Sequence, residues 1–408
     1  MQFNQALNTT YKPPKETALN LQLSTRVQSI KPSPTLAVTN RAAELRAAGQ
    51  DIIGLGAGEP DFDTPQHIKD AATAAIKNGF TKYTAVDGTP GLKNAIINKF
   101  KNDNNLDYQA NQILVSCGGK QSFFNLSLAL LNPGDEVVIP APYWVSYPDM
   151  VKMAEGVPVV IKTNAAARFK ITAQQLDAAI TKKTKLVVLN SPSNPSGMSY
   201  TKAELAELGA VLRKYPDVLV ATDDMYEHIL WTEEEFNNIL TVNPDLYDRT
   251  IVLNGVSKAY SMTGWRIGYA AGPQPLIAAM KKIQSQSTSN PTSISQVAAQ
   301  AALEGDQQCV KDMVKVFKQR HDYTVKALNE IDGIECLAGD GTFYVFPDFS
   351  GMQAKLNCDS DTDLAEKLLE AGVALVPGSA FGTPGHMRIS FATSDENLEK
   401  AIERLKEA

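Results

Sequence analysis

Residues 185–223 read KLVVLNSPSNPSGMSYTKAELAELGAVLRKYPDVLVATD, and this stretch is the clearest indication of the architecture. It contains two short apolar runs, KLVVLN (185–190) and VLVATD (218–223), which are continuous rather than alternating. Such runs are typical of strands that are buried on both faces. The segment AELAELGAVLRKY (203–215) between them has the composition of a helix. A strand, a crossover helix and a second buried strand predict a parallel sheet.

Three further apolar runs extend this pattern along the chain. They are QILVS (112–116), DEVVIP (135–140) and TIVLN (250–254). Helical segments lie between most of the runs, for example SFFNLSLALL (122–131) and the Ala-rich residues 296–304. The middle of the chain therefore predicts an α/β fold, with a mostly parallel sheet covered by helices on both faces.

The pattern changes after about residue 305 into a smaller α+β arrangement. A long charged helix (311–331) precedes GTFYVFPDF (341–349), and these are followed by helix 361–372, strands VALVPG (373–378) and HMRISFA (386–392), and a final helix. Another helix, near residues 35–49, precedes the large sheet.

A chain of 408 residues is long enough for two domains, since hydrophobic cores usually divide beyond about 250 to 300 residues. We expect an N-terminal arm at 1–20, a small domain formed by 21–62 and 306–408, and a large domain at 63–305.

Composition excludes several classes of function. The 39 basic and 45 acidic residues give a net charge of −6 without a basic block, which argues against a nucleic-acid partner. No window approaches the about 18 continuous apolar residues of a membrane span, and the N-terminus lacks the pattern of a signal peptide. The four cysteines are scattered without C-x-x-C spacing, which argues against disulfides and a metal site and favours a cytoplasmic location.

Unusual residues follow the predicted strands, at the edge where open α/β sheets bind ligands. In chain order these are CGGKQ (117–121), APYW (141–144), SPSNPSG (191–197), Asp223 with Tyr226, and GVSK (255–258). Taken singly, each has a plain explanation as a surface lysine, a core tryptophan, a turn or a helix cap. Their placement at five strand ends together favours one site.

Neither glycine motif matches a nucleotide loop. GLGAGEP (54–60) lacks the third glycine of G-x-G-x-x-G, and SCGGKQS (116–122) fails the P-loop pattern at both ends. The CGGKQ segment still places a glycine turn at the start of a helix, where backbone N–H groups bind phosphate.

The stretch SKAYSMTGWR (257–266) places Lys258 eight positions before Arg266. A lysine amine, with an ordinary pKa of about 10.4, becomes a Schiff-base nucleophile when a nearby cation or burial lowers that pKa. Arginine suits a phosphate, so a ligand with both an aldehyde and a phosphate satisfies both residues. Pyridoxal 5′-phosphate is such a ligand. Asp223 can keep its ring nitrogen protonated, and Asn194, Tyr226 and Trp144 can contact its oxygen and its ring face.

The chain resembles the class I, fold-type I pyridoxal-phosphate aminotransferases, and specifically the bacterial aspartate aminotransferase subgroup that includes aspartate/prephenate enzymes. The matching segments cover nearly all of the chain after residue 20; they include STRVQSIKPSPTLAV (24–38), GAGEPDFDTP (56–65), KYTAVDGTPGLK (82–93), NSPSNPSG (190–197), VLNGVSKAYSMTGWRIGY (252–269) and HMRISFATSDENL (386–398). The resemblance implies a mostly parallel seven-stranded sheet in the large domain and a homodimer with shared active sites.

The resemblance also implies a role for each matching residue. Lys258 would bind the cofactor aldehyde and then move the proton, Asp223 would pair with the ring nitrogen, and Tyr226 and Asn194 would contact the phenolic oxygen. The remaining roles are phosphate binding by Arg266, Gly119, Lys120 and Tyr83 of the neighbouring subunit, ring stacking by Trp144, and α-carboxylate binding by Arg388 with backbone of Gly58.

Two positions depart from the family pattern. Gly255 stands where many relatives have a phosphate-binding serine, and we expect Ser257 to substitute for it. Asp224 stands where a glutamate is usual, with little expected consequence because its side chain is not expected to reach the ring.

The resemblance favours L-aspartate and 2-oxoglutarate as substrates in a ping-pong reaction, with Lys31 as the cation for the distal carboxylate. Glutamate or aspartate with prephenate, and aromatic amino acids, are the alternatives. We also expect the small domain to close on dicarboxylates, which would exclude water. Two other classes of function stay open: an enzyme of the same fold with lyase or decarboxylase chemistry, and a non-catalytic regulator, whose DNA-binding segment the short neutral arm does not supply.

Overall fold

A computed structural model describes residues 21–408; the predicted arm at 1–20 lies outside these residues. The α-helices are α1 Thr25–Gln28, α2 Pro34–Ala47, α3 Gln66–Lys77, α4 Pro90–Asn104, α5 Gly119–Leu130, α6 Ser146–Met153, α7 Ala173–Ala179, α8 Lys202–Leu212, α9 Ile239–Val242, α10 Gln274–Ser285, α11 Ser293–Glu304, α12 Gln308–Asn329, α13 Ser350–Lys355, α14 Asp361–Glu370 and α15 Asp395–Glu407. The strands are β1 Ile53–Gly54, β2 Ile113–Ser116, β3 Glu136–Ala141, β4 Val157–Lys162, β5 Thr184–Asn190, β6 Leu219–Asp223, β7 Thr250–Gly255, β8 Gly268–Ala271, β9 Tyr344–Val345, β10 Val373–Ala374, β11 Val376–Pro377 and β12 Met387–Ser390.

The central sheet has seven strands in the order β2-β8-β7-β6-β5-β3-β4. All neighbours are parallel except those of β8, which runs antiparallel to both β2 and β7. The predicted α/β fold with a mostly parallel sheet is therefore confirmed. The five strands predicted from apolar runs are β2, β3, β5, β6 and β7.

The helices cover both faces of this sheet because successive residues of a strand point to opposite faces. Leu186 and Val188 of β5 pack in one cluster with apolar residues of α5, α6 and α10. Val187 and Leu189, one position on, pack in another cluster with residues of α7 and α8. This alternation buries both faces, and it explains why the strand sequences are continuously apolar.

Helix α8 shows how local sequence sets an element boundary. The Thr201 side chain accepts a hydrogen bond from the backbone N–H of Glu204, and Glu204 accepts one from the N–H of Thr201 at 2.8 Å. This capping box satisfies two free donors at the helix start. It fixes the crossover that carries the chain from β5 to β6.

Two smaller sheets lie in the flanking segments. Strand β1 pairs in parallel with β10, and β11, β12 and β9 form an antiparallel sheet in that order. The predicted strand VALVPG (373–378) is thus divided between two sheets. Phe317 of α12, Phe343, Leu364 of α14 and Leu398 of α15 lie in one buried cluster beside these strands. The domain division at residues 62 and 305 stays a prediction.

Within residues 21–408, no helix combines the length and apolar character needed to cross a bilayer. Over the same residues, no cluster of three or more His, Cys, Asp or Glu side chains could hold a metal ion.

Candidate active site

A cavity of about 400 Å³ lies at the carboxyl ends of the central strands. All but two of the residues predicted for the site line it: Gly58, Gly119, Lys120, Trp144, Asn194, Asp223, Tyr226, Ser257, Lys258, Arg266 and Arg388. Residues Thr35, Leu36 and Thr39 of α2 and Tyr344 of β9 complete part of its wall. The cavity therefore combines strand ends of the central sheet with side chains from both flanking segments.

Lys258 follows strand β7 and projects into this cavity. Its ammonium donates a hydrogen bond to the carbonyl oxygen of Gly58. Burial, together with the nearby charge of Arg388, lowers the pKa of Lys258 to about 8. A lysine with such a pKa is partly neutral near physiological pH, as a Schiff-base nucleophile requires.

Asp223 ends strand β6 and is held by two donors. The phenol of Tyr147 donates to Oδ2, and the backbone N–H of Met225 donates to Oδ1 at 3.3 Å. Burial raises the pKa of Asp223, whereas the hydrogen bond from Tyr147 acts in the opposite direction. The carboxylate is thus oriented, and it faces the cavity with limited access to water.

Tyr147 is a candidate site residue that the strand-end pattern does not include. It lies in α6, three positions after Trp144, and the two rings pack edge to face with centroids 5.2 Å apart. Its sequence signal is its place in the aromatic segment PYWVSY (142–147), three positions after Trp144. The tyrosine was overlooked because it follows the strand end by six residues.

Tyr226 lies against a second tyrosine rather than against a charged group. Its hydroxyl is 3.1 Å from that of Tyr344, and either oxygen can be the donor. Burial raises the pKa of Tyr226 well above its usual range, so the phenol stays protonated. It can therefore donate a hydrogen bond to an oxygen bound in the cavity.

Arg388 of β12 is only 2% exposed. It donates to Asn194 Oδ1 at 3.0 Å and to the carbonyl oxygen of Gly56 at 2.7 Å. Its guanidinium carbon lies 4.5 Å from the ring centre of Tyr344, while its Nε has no hydrogen-bond partner. No carboxylate of the described chain forms an ion pair with it. A buried cation with only neutral partners is suited to receive a carboxylate from a ligand.

A backbone cradle for an anion forms at the start of α5. Gly118 caps the helix with φ +88°, a conformation that favours glycine, and Gly119 is the first helical residue. A Cβ on Gly268 would lie 2.2 Å from the nitrogen of Gly119, so the cradle needs glycine at that position too. The free N–H groups of a helix start attract phosphate.

Arg266 lies beside this cradle. It donates to the carbonyl oxygen of Thr263 at 2.8 Å and to that of Cys117 at 3.2 Å. Its partners among the described residues are carbonyl groups, which leaves its charge available for an anion. The buried Ser257 also lines the cavity.

The departure at Gly255 has a steric cause. A Cβ at this position would lie 3.0 Å from the Cα of Gly268 and 3.0 Å from the carbonyl oxygen of Ile267. A serine would therefore be tightly packed here, and the backbone of β8 would have to shift by a few tenths of an ångström. Asp224, the other departure, does not line the cavity; its carboxylate accepts hydrogen bonds from Thr222 and Asn238.

Lys120 and Trp144 form another part of the wall. The ammonium of Lys120 lies 5.2 Å from the ring centre of Trp144. Partial burial lowers the pKa of Lys120, and the charge of Arg266 adds to this effect. The two cations are therefore close enough to serve one anionic ligand or two neighbouring anionic groups.

Asn190 is a second residue that the sequence argument missed. Its amide nitrogen donates to the backbone carbonyl of Asp223 at 2.9 Å, and its oxygen accepts from the backbone N–H of Asn194 at 2.9 Å. It thus connects the ends of β5 and β6 beneath the cavity. As the last letter of KLVVLN it was counted as part of the strand.

Lys31 and Tyr83 are not part of this cavity. Lys31 lines a separate cavity of about 560 Å³, together with Tyr143 and Lys152. The side chain of Tyr83 is 91% exposed on the single chain. The substrate role of Lys31 and the cross-subunit role of Tyr83 stay predictions.

The cavity brings the buried amine of Lys258 together with Arg266, Arg388 and the start of α5. Residues 50–405 match the family model described as aminotransferase class I and II. The chain belongs to this family, which places it among the transferases.

Curated relatives and solved structures agree with this assignment. A protein from Nitrosomonas europaea, named aspartate/prephenate aminotransferase, is 62% identical over 392 residues, covering 94% of this chain and 99% of that protein. An aspartate aminotransferase structure from Rhizobium meliloti is 49% identical, with a TM-score of 0.91 over 95% of this chain and 98% of that one. The Thermus thermophilus aspartate aminotransferase with maleate is 43% identical, with a TM-score of 0.89 and coverage of 95% and 99%.

Proposed function

We propose that this aminotransferase uses pyridoxal 5′-phosphate to move the amino group of L-aspartate to 2-oxoglutarate, giving oxaloacetate and L-glutamate. The observation that carries the proposal is the buried guanidinium of Arg388, which has an unpaired Nε and lies on the same cavity as the low-pKa amine of Lys258. Both groups suit a 2-amino or 2-oxo acid. The names of the relatives support aspartate as a substrate.

The residues of the cavity fit the cofactor. Lys258 suits its aldehyde, and the cradle at Gly118 and Gly119 with Arg266 suits its phosphate. Asp223 suits a protonated ring nitrogen because its buried carboxylate lacks a cationic hydrogen-bond partner. Trp144 offers a ring face, and Tyr226 and Asn194 offer polar groups for the phenolic oxygen.

When bound, the cofactor supplies an electron sink for the bond broken at the substrate Cα. Lys258 Nζ takes the Cα proton and returns it to the other side of the transferred nitrogen, which its lowered pKa permits. Arg388 holds the α-carboxylate and so fixes the direction of the Cα–H bond. Asp223, oriented by Tyr147, keeps a negative charge next to the ring nitrogen.

The distal carboxylate of a dicarboxylate substrate needs a further cation. Among residues 21–408, four cationic side chains line the cavity: Lys258, Arg266, Arg388 and Lys120. Since the first three are assigned to the aldehyde, the phosphate and the α-carboxylate, Lys120 is the one left for the distal group. Thr35 and Thr39 add hydroxyl groups from α2. We therefore assign this role to Lys120 rather than to Lys31, which lines the other cavity.

We further propose a homodimer with shared active sites and a cytoplasmic location. The exposed ring of Tyr83 supports a dimer, because a large exposed aromatic side chain is typical of an interface. The free thiols of all four cysteines are compatible with a reducing compartment.

Prephenate is the second candidate amino acceptor. Relatives from Nitrosomonas europaea and Cereibacter sphaeroides carry the name aspartate/prephenate aminotransferase, at 62% and 54% identity. The cavity wall also includes the apolar Leu36 beside the threonines of α2. A ring-bearing dicarboxylate is thus compatible with the same site.

A half-reaction series tests the proposal. The holoenzyme is mixed with single amino acids, and the visible spectrum reports conversion of the bound cofactor from its aldehyde to its amine form. We expect fast conversion by aspartate and glutamate, and reconversion by 2-oxoglutarate, oxaloacetate and prephenate. Release of ammonia or CO₂ without an added 2-oxo acid would instead establish a lyase or a decarboxylase.

A further inference from the structure

A buried ion pair lies outside the lining of the cofactor cavity. Lys99 of α4 and Glu227, which follows the β6 turn, have side chains that are only 4% and 3% exposed, and their charged atoms are in direct contact. None of the roles proposed above uses either residue. Neither side chain lines the cofactor cavity.

Two asparagines complete the hydrogen bonding of this pair. Asn104 donates to Glu227 Oε2 at 3.0 Å and accepts from the ammonium of Lys99 at 2.7 Å. Asn254 donates to Glu227 Oε1 at 2.5 Å, and its own oxygen accepts from the backbone N–H of Gly255 at 2.7 Å. The four residues, called here the anchor network, are Lys99, Asn104, Glu227 and Asn254.

The anchor network joins the two turns that carry the site. Glu227 directly follows Tyr226 in the turn that begins at Asp223, and Asn254 precedes the turn that leads to Lys258. The other charged and titratable groups near it are Asp103, His228, Asp224, Tyr260 and Tyr269. His228 Nε2 lies 3.6 Å from Asp103 and 3.5 Å from Glu227.

Stability alone is a poor reason for such a pair. Desolvation of two buried charges offsets most of their attraction, and well-packed apolar residues often stabilise a core as much or more. Burial acts to raise the pKa of Glu227, but Lys99 and the surrounding donors lower it to about 2, so the carboxylate stays charged. The charged, hydrogen-bonded pair instead provides a directional link between the turn after β6 and the turn after β7.

We propose that Glu227 and Lys99 are positioning residues, whose ion pair, joined through Asn254, holds the turn of Asp223 and Tyr226 in register with the turn of Lys258. The proposal rests on the proposed function for the identity of the cofactor and of the reaction. The geometric claim concerns Lys258 and Asp223 in the resting protein, and it can be measured without substrate.

The test uses the double variant K99M/E227M, which replaces both charges with apolar side chains and leaves no unpaired buried ion. We expect it to fold with a lowered Tm, because the exchange removes the desolvation cost together with the attraction but leaves the buried amides of Asn104 and Asn254 without their partners. We expect the pH midpoint of the visible absorbance of the lysine-bound cofactor to shift by about half a unit or more, because the Lys258–Asp223 distance changes. We also expect kcat for aspartate to fall about tenfold with little change in KM.

Two further variants make the result decisive. N254S cuts the link and keeps the ion pair, so it should reproduce the spectral shift, and it carries the test if the double variant does not fold. E204Q breaks the partly buried Lys170–Glu204 pair at the start of α8 and should change Tm without moving the spectral midpoint. The positioning role is overturned if the folded double variant keeps the wild-type pH midpoint of absorbance and the wild-type kcat. If the double variant does not fold, the same result in N254S overturns it. Failure of the wild type to transaminate aspartate would overturn the proposed substrate alone.

Discussion

Arg388 of β12 donates a 3.0 Å hydrogen bond to the side-chain oxygen of Asn194 in the loop after β5. This contact joins the antiparallel flanking sheet to the end of the central parallel sheet. Arg388 also lines the cavity, and no carboxylate of the described residues pairs with its guanidinium. Neutral partners therefore orient Arg388, and a ligand carboxylate can supply the negative charge that pairs with it.

Replacement of Arg388 by leucine should reduce kcat/KM for aspartate by about a hundredfold or more, since a charge-assisted bidentate contact is lost. R388K should recover only a small part of the lost kcat/KM, because a lysine ammonium lacks the planar, two-donor guanidinium. Steady-state kinetics with aspartate and 2-oxoglutarate measure both effects. The control R213L removes a surface arginine that pairs with Asp245. A KM for aspartate in R388L equal to that of the wild type would contradict the assignment.

Lys120 and Lys31 make different predictions for the distal carboxylate. K120M should raise KM for aspartate and 2-oxoglutarate about tenfold at saturating cofactor, with a smaller effect on aromatic monocarboxylate donors. K31M should leave this selectivity unchanged, because Lys31 lines the other cavity. The ratio of kcat/KM for aspartate and phenylalanine measures the difference. A dicarboxylate-specific loss in K31M alone would restore the assignment made from the sequence.

The anion cradle predicts a sharp contrast between two glycines of one segment. A Cβ at Gly268 would meet the backbone nitrogen of Gly119 at 2.2 Å, whereas a Cβ at Gly264 would meet nothing within 4 Å. G268A should therefore weaken cofactor binding strongly, and G264A should bind the cofactor as the wild type does. Titration of each apoprotein, followed by visible absorbance, provides the comparison. Equal affinities would show that the cradle does not hold the phosphate.

Lys258 should make the cofactor-free protein less stable. Its pKa falls from 10.5 to about 8 on folding, so the unfolded chain binds more protons between these values. The stability of the apoprotein should therefore rise as the pH increases from about 8 to 10.5. Below about pH 8 the full cost of burying the charged amine should apply. K258M removes the cost, so its apoprotein should be more stable by about 2 kcal/mol at about pH 7. Denaturant unfolding at several pH values checks this, and a less stable K258M apoprotein at neutral pH would contradict it.

The strands that were predicted are those whose sequence directly reflects burial. Runs such as KLVVLN are apolar because both faces of β5 are covered. The pattern of apolar runs does not predict strand β4, because Pro158 interrupts its sequence and because Val157 and Val160 are exposed at the sheet edge. Strand β8, GYAA, escaped because it lacks β-branched residues; its small side chains allow the close approach to Gly255 and Gly119.

Some site residues could likewise be predicted from the local sequence, whereas others depend on contacts between distant parts of the chain. Lys258, Asp223 and Arg266 could be placed because the ends of parallel strands meet at one edge of the sheet. Tyr147 and Asn190 act through contacts to residues far away in sequence, and Lys31 depends on the packing of the N-terminal segment against the rest of the chain. Such contacts have no spacing that a single sequence displays.

The covalent use of Lys258 is the claim on which every proposed role depends. The most direct measurement is reduction of the protein with borohydride after incubation with pyridoxal 5′-phosphate, followed by proteolysis and mass spectrometry. We predict a yellow protein whose phosphopyridoxyl mass lies on the peptide containing Lys258 and is absent in K258M. A colourless protein with that peptide unmodified, or a label on a different lysine, would contradict the proposed chemistry.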